Sequence, residues 1–265
     1  MERNSSARNS QRVHHPRWLH ASLAKRCIDV IHSAFLWRLP TPEDAIAFAQ
    51  WEADPIGAWC SRCGAANASA TRSADGACAD CRGRRFAYES VTRLGSYRDP
   101  LDAWIKLIKS SAWKAMAHTL GSQLAARAPP IDLIVPIPMH LLRREMRGID
   151  HTGEIADAMS RALHVPVCRA LSQSLARQQM GTSRTKRLRN TNRFRANRRT
   201  ALVRDLRVGL VDDVRTTGST LQSAASLLRD AGAARVDAIV IAARDSLEFE
   251  EVQHRSPRLL SDASP

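Results

Sequence analysis

Between Val208 and Leu221 the chain reads VGLVDDVRTTGSTL, a segment that narrows sharply what the remainder can fold into. The apolar run Val208, Gly209, Leu210 and Val211 predicts a strand buried in a parallel sheet. Asp212 and Asp213 then fall at its carboxyl end, the side on which open α/β sheets bind ligands. Thr216, Thr217, Gly218, Ser219 and Thr220 follow, and a helix is predicted to begin near Ser219. Gly218 lets the chain turn tightly enough for successive amides to converge on one anion, and the helix N-terminus and the hydroxyls add donors. A 5′-phosphate suits such a cradle. Adjacent carboxylates would repel that phosphate, so Asp212 and Asp213 are expected to accept hydrogen bonds from ribose hydroxyls instead. The segment is neither a GxxxxGK[ST] loop nor a dinucleotide GxGxxG turn, and the chain contains neither pattern.

A second constraint comes from Cys60-x-x-Cys63 and Cys78-x-x-Cys81. Each pair wraps one side of a tetrahedral ion, and the polar stretch between them is long enough to bring the second pair onto the first. Gly64 and Gly83 sit just after the pairs, where tight turns aim amides at thiolate sulfurs. The spacing predicts a zinc ribbon whose metal is structural, since four thiolates leave no open coordination position; redox disulfides are the alternative. Cys27 and Cys168 lie in amphipathic or apolar contexts and are expected to be packing residues.

With 265 residues, 44% of them apolar, the chain has room for one α/β domain and smaller appendages. Lys and Arg number 40 against 26 Asp and Glu, a formal charge of +14 that points to polyanionic partners. Much of the excess lies in the first 26 residues and between Arg177 and Arg207. Nucleic acid, a sugar diphosphate and pyrophosphate all meet that description. Aromatic residues are only 5% of the chain and are not interleaved with the arginines, which disfavours a base-stacking platform and leaves phosphate contacts open. No apolar run approaches the roughly 18 residues of a membrane span, and the polar N-terminus is no signal peptide. A cytoplasmic protein is expected. Trp18 to Leu36 predicts an amphipathic basic helix, compatible with peripheral membrane contact.

The expected organisation is a basic extension with helix and linker over 1–57, the ribbon over 58–84, an α/β domain over 85–247 and a disordered tail over 248–265. Within the extension a short helix is expected from Glu43 to Trp51. In the domain, strands are predicted at Val91–Tyr97, Ile131–Val135 and Arg235–Ala242, with helices at Thr152–Leu163 and Ser219–Ala231. Leu101–Arg127 reads as one long or broken helix with Trp104, Ile105, Ile108, Trp113, Met116, Leu120 and Leu124 inward, stopped by Pro129 and Pro130. Alternating elements of these lengths imply a parallel sheet flanked by helices.

These blocks, in this order, resemble the ComF family, in which a zinc ribbon precedes a type I phosphoribosyltransferase-like domain. The likeness runs from about Trp59 to Arg244. It is carried by the CxxC pairs, the Leu101-x-x-Trp104-Ile105-x-x-Ile108-Lys109 helix start, the IVPIP stretch at Ile134 to Pro138, Arg147-Gly148, Gln179 with Arg187, Asn190 and Phe194, and the DD-TTGST segment. The resemblance implies a site for phosphoribosyl diphosphate (PRPP) or a nucleotide 5′-phosphate, with Mg²⁺ accompanying PRPP. Asp212 and Asp213 would hold the ribose, and Thr216 to Thr220 the 5′-phosphate. Val135, Pro136, Ile137 and Pro138, with Arg143, Arg144 and Arg147, would form a pyrophosphate loop, and Gln179, Arg187 and Asn190 a hood. It also implies a role in DNA uptake, with single-stranded DNA and DNA-processing proteins as partners. Where the family commonly has an aromatic and then Asn-Gln after Arg-Gly, this chain has Ile149, Asp150 and His151, and Ser110 follows Lys109 in place of an aromatic. His151 reads as a structural or supporting residue, and Lys109 as a weak phosphate-contact candidate. Two classes therefore stay open, a PRPP-dependent transferase and a non-catalytic protein that keeps the fold to bind DNA or a partner.

Overall fold

A computed structural model describes residues 39–66, 77–110, 113–139, 149–173 and 194–245. The predicted basic helix before residue 39, Cys27, Arg143, Arg144, Arg147, Gln179, Arg187 and Asn190 lie outside the described residues. In chain order the elements are helix α1 (Pro42–Ala49), strand β1 (Ser90–Ser96), helices α2 (Leu101–Lys109) and α3 (Lys114–Ala125), β2 (Leu133–Pro136), α4 (His151–Leu163), the short strands β3 (Leu171–Gln173) and β4 (Phe194–Ala196), β5 (Arg207–Arg215), α5 (Ser219–Asp230) and β6 (Arg235–Ala243).

Four strands pair in the order β1-β6-β5-β2, and every pairing is parallel. One face of the sheet, with Val208 and Leu210 of β5 and Ala238 and Val240 of β6, packs on Leu221, Ala224 and Leu228 of α5. On β2 and β5 lies α4, which is closely apposed to α3: a Cβ on Gly121 would come within 2.8 Å of Ala158 Cβ and the Ile155 carbonyl. The apolar periodicity from Leu101 onward is buried as expected, but it is divided between α2 and α3. At Ser110 the helix ends with its amide donating to the Leu107 carbonyl at 3.1 Å and its hydroxyl to the same oxygen at 2.8 Å. Strand β5 runs past Val211 through both aspartates to Arg215, because β6 continues to pair with it as far as Ala243.

The cysteine segment sits on the β1 edge. Gly64, at φ 75°, turns the first knuckle, and a Cβ there would press to 2.9 Å of Val91 Cγ1. Trp59 Nε1 donates to the Val91 carbonyl at 2.9 Å, and the Val91 amide to the Ser61 carbonyl at 2.6 Å. Arg93, 1% exposed, fastens this seam. Its guanidinium donates to the Gly64 carbonyl at 2.9 Å, to Asp54 at 2.8 Å, to Asp245 at 3.1 Å and to the Ser96 hydroxyl at 3.3 Å. One buried cation thus joins the connector, the ribbon and the end of the sheet, with two carboxylates balancing its charge.

Candidate functional site

The four cysteines converge as their spacing predicts. Their sulfurs all lie within 4.8 Å of one another, with Cys63–Cys78 at 3.5 Å, Cys78–Cys81 at 3.7 Å and Cys60–Cys81 at 3.8 Å. A tetrahedron with metal–sulfur bonds of about 2.3 Å has edges of about 3.8 Å, so the group fits a dication such as zinc. Its ionisation points the same way. Burial opposes the Cys60 thiolate, but the amides of Cys63, Arg62 and Cys78 bring its pKa down to about 7. Burial and the neighbouring sulfurs push Cys81 up to about 11 and Cys63 higher still. Without a cation the cluster does not carry its full charge, and a bound dication removes that obstacle.

The second candidate site lies where β2 stops and β5 continues. Pro136 is the last β2 residue in register, opposite Val211, and the next amide, that of Ile137, still donates to the Val211 carbonyl at 2.8 Å. Beyond this point the chain leaves the sheet, and β2 no longer pairs with β5 at Asp212 and Asp213. Thr152 Oγ1, on the first turn of α4, donates to the Ile137 carbonyl at 2.9 Å, and Gln173 Nε2 donates to the Pro138 carbonyl at 2.8 Å. Residues 135–138 are therefore held next to the acidic pair, as the sequence places them.

Both aspartates are buried, at 9% and 7% exposure. Asp212 Oδ1 accepts from the Asp213 amide at 2.9 Å, and Asp213 Oδ1 from the Val214 amide at 2.8 Å. Asp213 Oδ2 lies 2.5 Å from Lys109 Nζ and 3.3 Å from His151 Nε2. Burial would raise both acids. For Asp213, His151 and the Lys109 ammonium outweigh it and hold the carboxyl well below the usual range. Asp212 is driven well upward by burial and by the charge of Asp213. The environment thus pushes the two acids apart, Asp213 favoured as the carboxylate and Asp212 the one whose proton is held more tightly. The departures from the family pattern have definite places: Asp150 accepts from the Gly153 amide at 3.2 Å and caps α4, while His151 faces the acidic pair.

The hydroxyl-rich turn forms at the same edge. Gly218, at φ 80° and ψ 0°, precedes α5, whose N-terminus has no side-chain cap. Thr216, Thr217 and Ser219 are exposed, and Thr217 Oγ1 donates to Ser219 Oγ at 3.1 Å. An exposed row of hydroxyls on an uncapped helix start is an anion-accepting surface. Two further residues escaped the sequence reading. Arg215, 6% exposed, and Tyr88, 3% exposed, press on Gly218 from behind: a Cβ there would meet Arg215 Nε and Tyr88 Oη each at 3.4 Å. Arg215 lies inside the motif, where its side chain could be suspected, whereas nothing local marks Tyr88.

This parallel sheet, with paired acids and a glycine turn at its carboxyl edge, defines a phosphoribosyltransferase-type α/β domain. The phosphoribosyl transferase domain family matches residues 148–256. Competence protein F of Haemophilus influenzae is 28% identical over 169 residues, covering 58% of this chain and 73% of that protein. DNA utilization protein YhgH of Escherichia coli O6:H1 is 30% identical over 171 residues, covering 60% and 74%. The chain belongs to the ComF family, that of competence protein F and YhgH. Among solved structures, glutamine PRPP amidotransferase from B. subtilis, complexed with ADP and GMP, matches at 23% identity and a TM-score of 0.36, over 47% of this chain and 25% of that one. Among the described residues no helix is long and apolar enough to cross a membrane.

Proposed function

We propose that the chain binds PRPP or a nucleotide 5′-phosphate at the carboxyl edge of β2 and β5 and works, in the cytoplasm, in the handling of DNA taken up by the cell. The observation that carries this reading is the junction of Asp212 and Asp213 with the positive-φ Gly218 at one sheet edge, beside the tethered residues 135–138. Asp213, ionised, accepts from ribose hydroxyls, and the Lys109 ammonium and the His151 ring beside it favour its charged form without a ligand. The amides and hydroxyls of residues 216–220 take the 5′-phosphate. Residues 135–138, with Arg143 and Arg147, serve the diphosphate, and Gln179, Arg187 and Asn190 cover it. Mg²⁺ bound with PRPP would neutralise charge on the diphosphate oxygens. The cysteine cluster holds structural zinc. The link to DNA uptake rests on the names of the relatives, competence protein F and DNA utilization protein YhgH.

Calorimetry of PRPP with Mg²⁺ tests the site. Wild type should bind, and Gly218→Val should lose binding while remaining folded, because a β-branched residue cannot keep φ near 80° and its methyls would crowd Arg215 and Tyr88. Equal affinity in both proteins overturns the assignment. Turnover of PRPP with a panel of bases, read beside DNA binding, separates a transferase from a binding protein. Arg195, Arg198 and Arg199 are exposed and supply the phosphate contacts for DNA. Neutralising them should shallow the salt dependence of DNA binding by about one unit per lost contact.

A further inference from the structure

Arg215 is unlike the other buried arginine of the sheet. No carboxylate among the described residues lies within ion-pairing distance of it, and its Nε and the hydroxyl of Tyr88 are buried beside Gly218, interacting with each other and with no further charged partner. Holding a largely buried guanidinium without a counter-charge is unfavourable, and an arriving anion would offset that cost. The phosphate turn lies directly against this charge, because Gly218 lacks the side chain that would separate them. Tyr88 is kept as a neutral donor. Burial pushes its phenol upward, and the charge of Arg215 and its side-chain contact with the phenol only partly reverse this. Its position is set by the ribbon: Phe86 stacks on Tyr88 with centroids 5.0 Å apart and packs against the cysteine cluster, and Arg84 lies over Phe86 at 5.2 Å.

We infer that Arg215 and Tyr88 form a charged floor beneath the phosphate turn, which makes the cradle selective for a dianionic, terminal phosphomonoester over a monoanionic phosphodiester. The inference rests on the ribose-phosphate reading above and specifies its ligand: the free 5′-phosphate of a sugar or nucleotide, or of a strand end, and not the internal phosphates of a nucleic acid. The amides and hydroxyls of residues 216–220 would serve either anion, whereas a buried cation with no carboxylate gains most from the second negative charge. In a ligand-bound state the guanidinium fork and the phenolic hydroxyl strengthen the field at the turn without being displaced.

The test is calorimetry with two probes, ribose 5-phosphate and its 5′-methyl phosphodiester, against wild type, Arg215→Met, Arg215→Lys and Tyr88→Phe, with thermal melts to confirm folding. Wild type should prefer the monoester by roughly ten- to a hundredfold, the range of a charge-assisted contact. Arg215→Met should bring the two probes to within a few-fold of each other, chiefly by weakening the monoester. Arg215→Lys, which keeps the charge and loses the fork, should retain part of the preference, and Tyr88→Phe should lower it a few-fold. Should Arg215→Met not fold, Arg215→Lys and Tyr88→Phe decide the matter. Wild-type preference in the folded variants, or equal wild-type affinity for the two probes, overturns the floor while leaving the ribose-phosphate site intact. Failure of wild type to bind either probe overturns the site itself.

Discussion

Arg93 and Arg215 are two buried arginines on neighbouring parts of one sheet, and they are treated in opposite ways. At the ribbon seam, Arg93 meets two carboxylates, a carbonyl and a hydroxyl, leaving only its Nε without a partner. At the carboxyl edge, Arg215 meets no carboxylate among the described residues. Two further buried polar atoms without a hydrogen bond among the described residues lie there too, the hydroxyl of Tyr88 and Nδ1 of His151. A fold retains such deficits where something else completes them, so the seam reads as architecture and the edge as a site. The two are nevertheless joined through Arg84, Phe86 and Tyr88, which makes the contrast open to attack from the metal side.

The largest effect should come from Cys81→Ser. A Cys₄ site commonly contributes roughly 10 kcal/mol or more of metal-binding free energy to folding, so the variant should lose its stoichiometric zinc and unfold the ribbon. Metal analysis and limited proteolysis read this directly. If the seam and the edge are coupled, its affinity for ribose 5-phosphate should fall as well, because Phe86 no longer holds Tyr88. Metal-free wild type with an intact ribbon would show that the cluster is not a structural site.

Arg93→Met is the sharper cut between the two regions. It should cost about 2 to 3 kcal/mol of stability, at or below the low side of what breaking a buried pair costs, since Asp54 and Asp245 are partly exposed and can be hydrated. Chemical denaturation measures the loss. Ligand affinity at the edge should hardly change, and a large drop would mean that the seam is part of the site. Asp213→Asn should weaken ribose-phosphate binding by about 1.5 to 3 kcal/mol through the lost charged acceptor, and it should lower the melt as well, because Lys109 and His151 lose the carboxylate they face. Unchanged affinity would remove Asp213 from the ribose contacts.

How much of this was open to reading from the sequence follows the range of the contacts. The strand, the acids and the glycine turn are contiguous, so residues 208–221 disclose their own geometry, and the CxxC pairs do the same for the metal cluster. Apolar periodicity places α4, α5 and the inward face of α2 and α3 for the same reason. What completes the edge comes from elsewhere. Lys109 ends α2 and His151 begins α4, and only the pairing of β1 on β6, β6 on β5 and β5 on β2 brings the two to Asp213. Tyr88 is placed by the ribbon, and Arg215 looks from sequence like an ordinary loop cation because the extension of β5 depends on β6. Strands β3 and β4, three residues each, are too short to show an alternation, and their antiparallel pairing is invisible without the other strand.

The smallest effect tests the acidic pair by its dependence on pH. Asp212 has a folded pKa raised by burial and by the charge of Asp213, so the folded chain holds this proton at a pH where the unfolded chain has released it. Stability should therefore fall as pH rises from the ordinary aspartate value, near about 3.9, through the folded pKa of Asp212. Asp213 contributes the opposite slope, but only at more acidic pH, because its contacts with His151 and Lys109 hold its folded pKa below that value. In Asp212→Asn the amide oxygen can still accept from the Asp213 amide, while the buried ionisation is gone. The variant should thus be slightly more stable than wild type at neutral pH and lose that advantage on acidification, even as its affinity for ribose phosphate drops. Denaturation curves across the acidic range read the difference. An advantage that is absent, or that grows as pH falls, would mean that Asp212 is ionised in the folded chain and that the deficit at this edge lies with the cations alone.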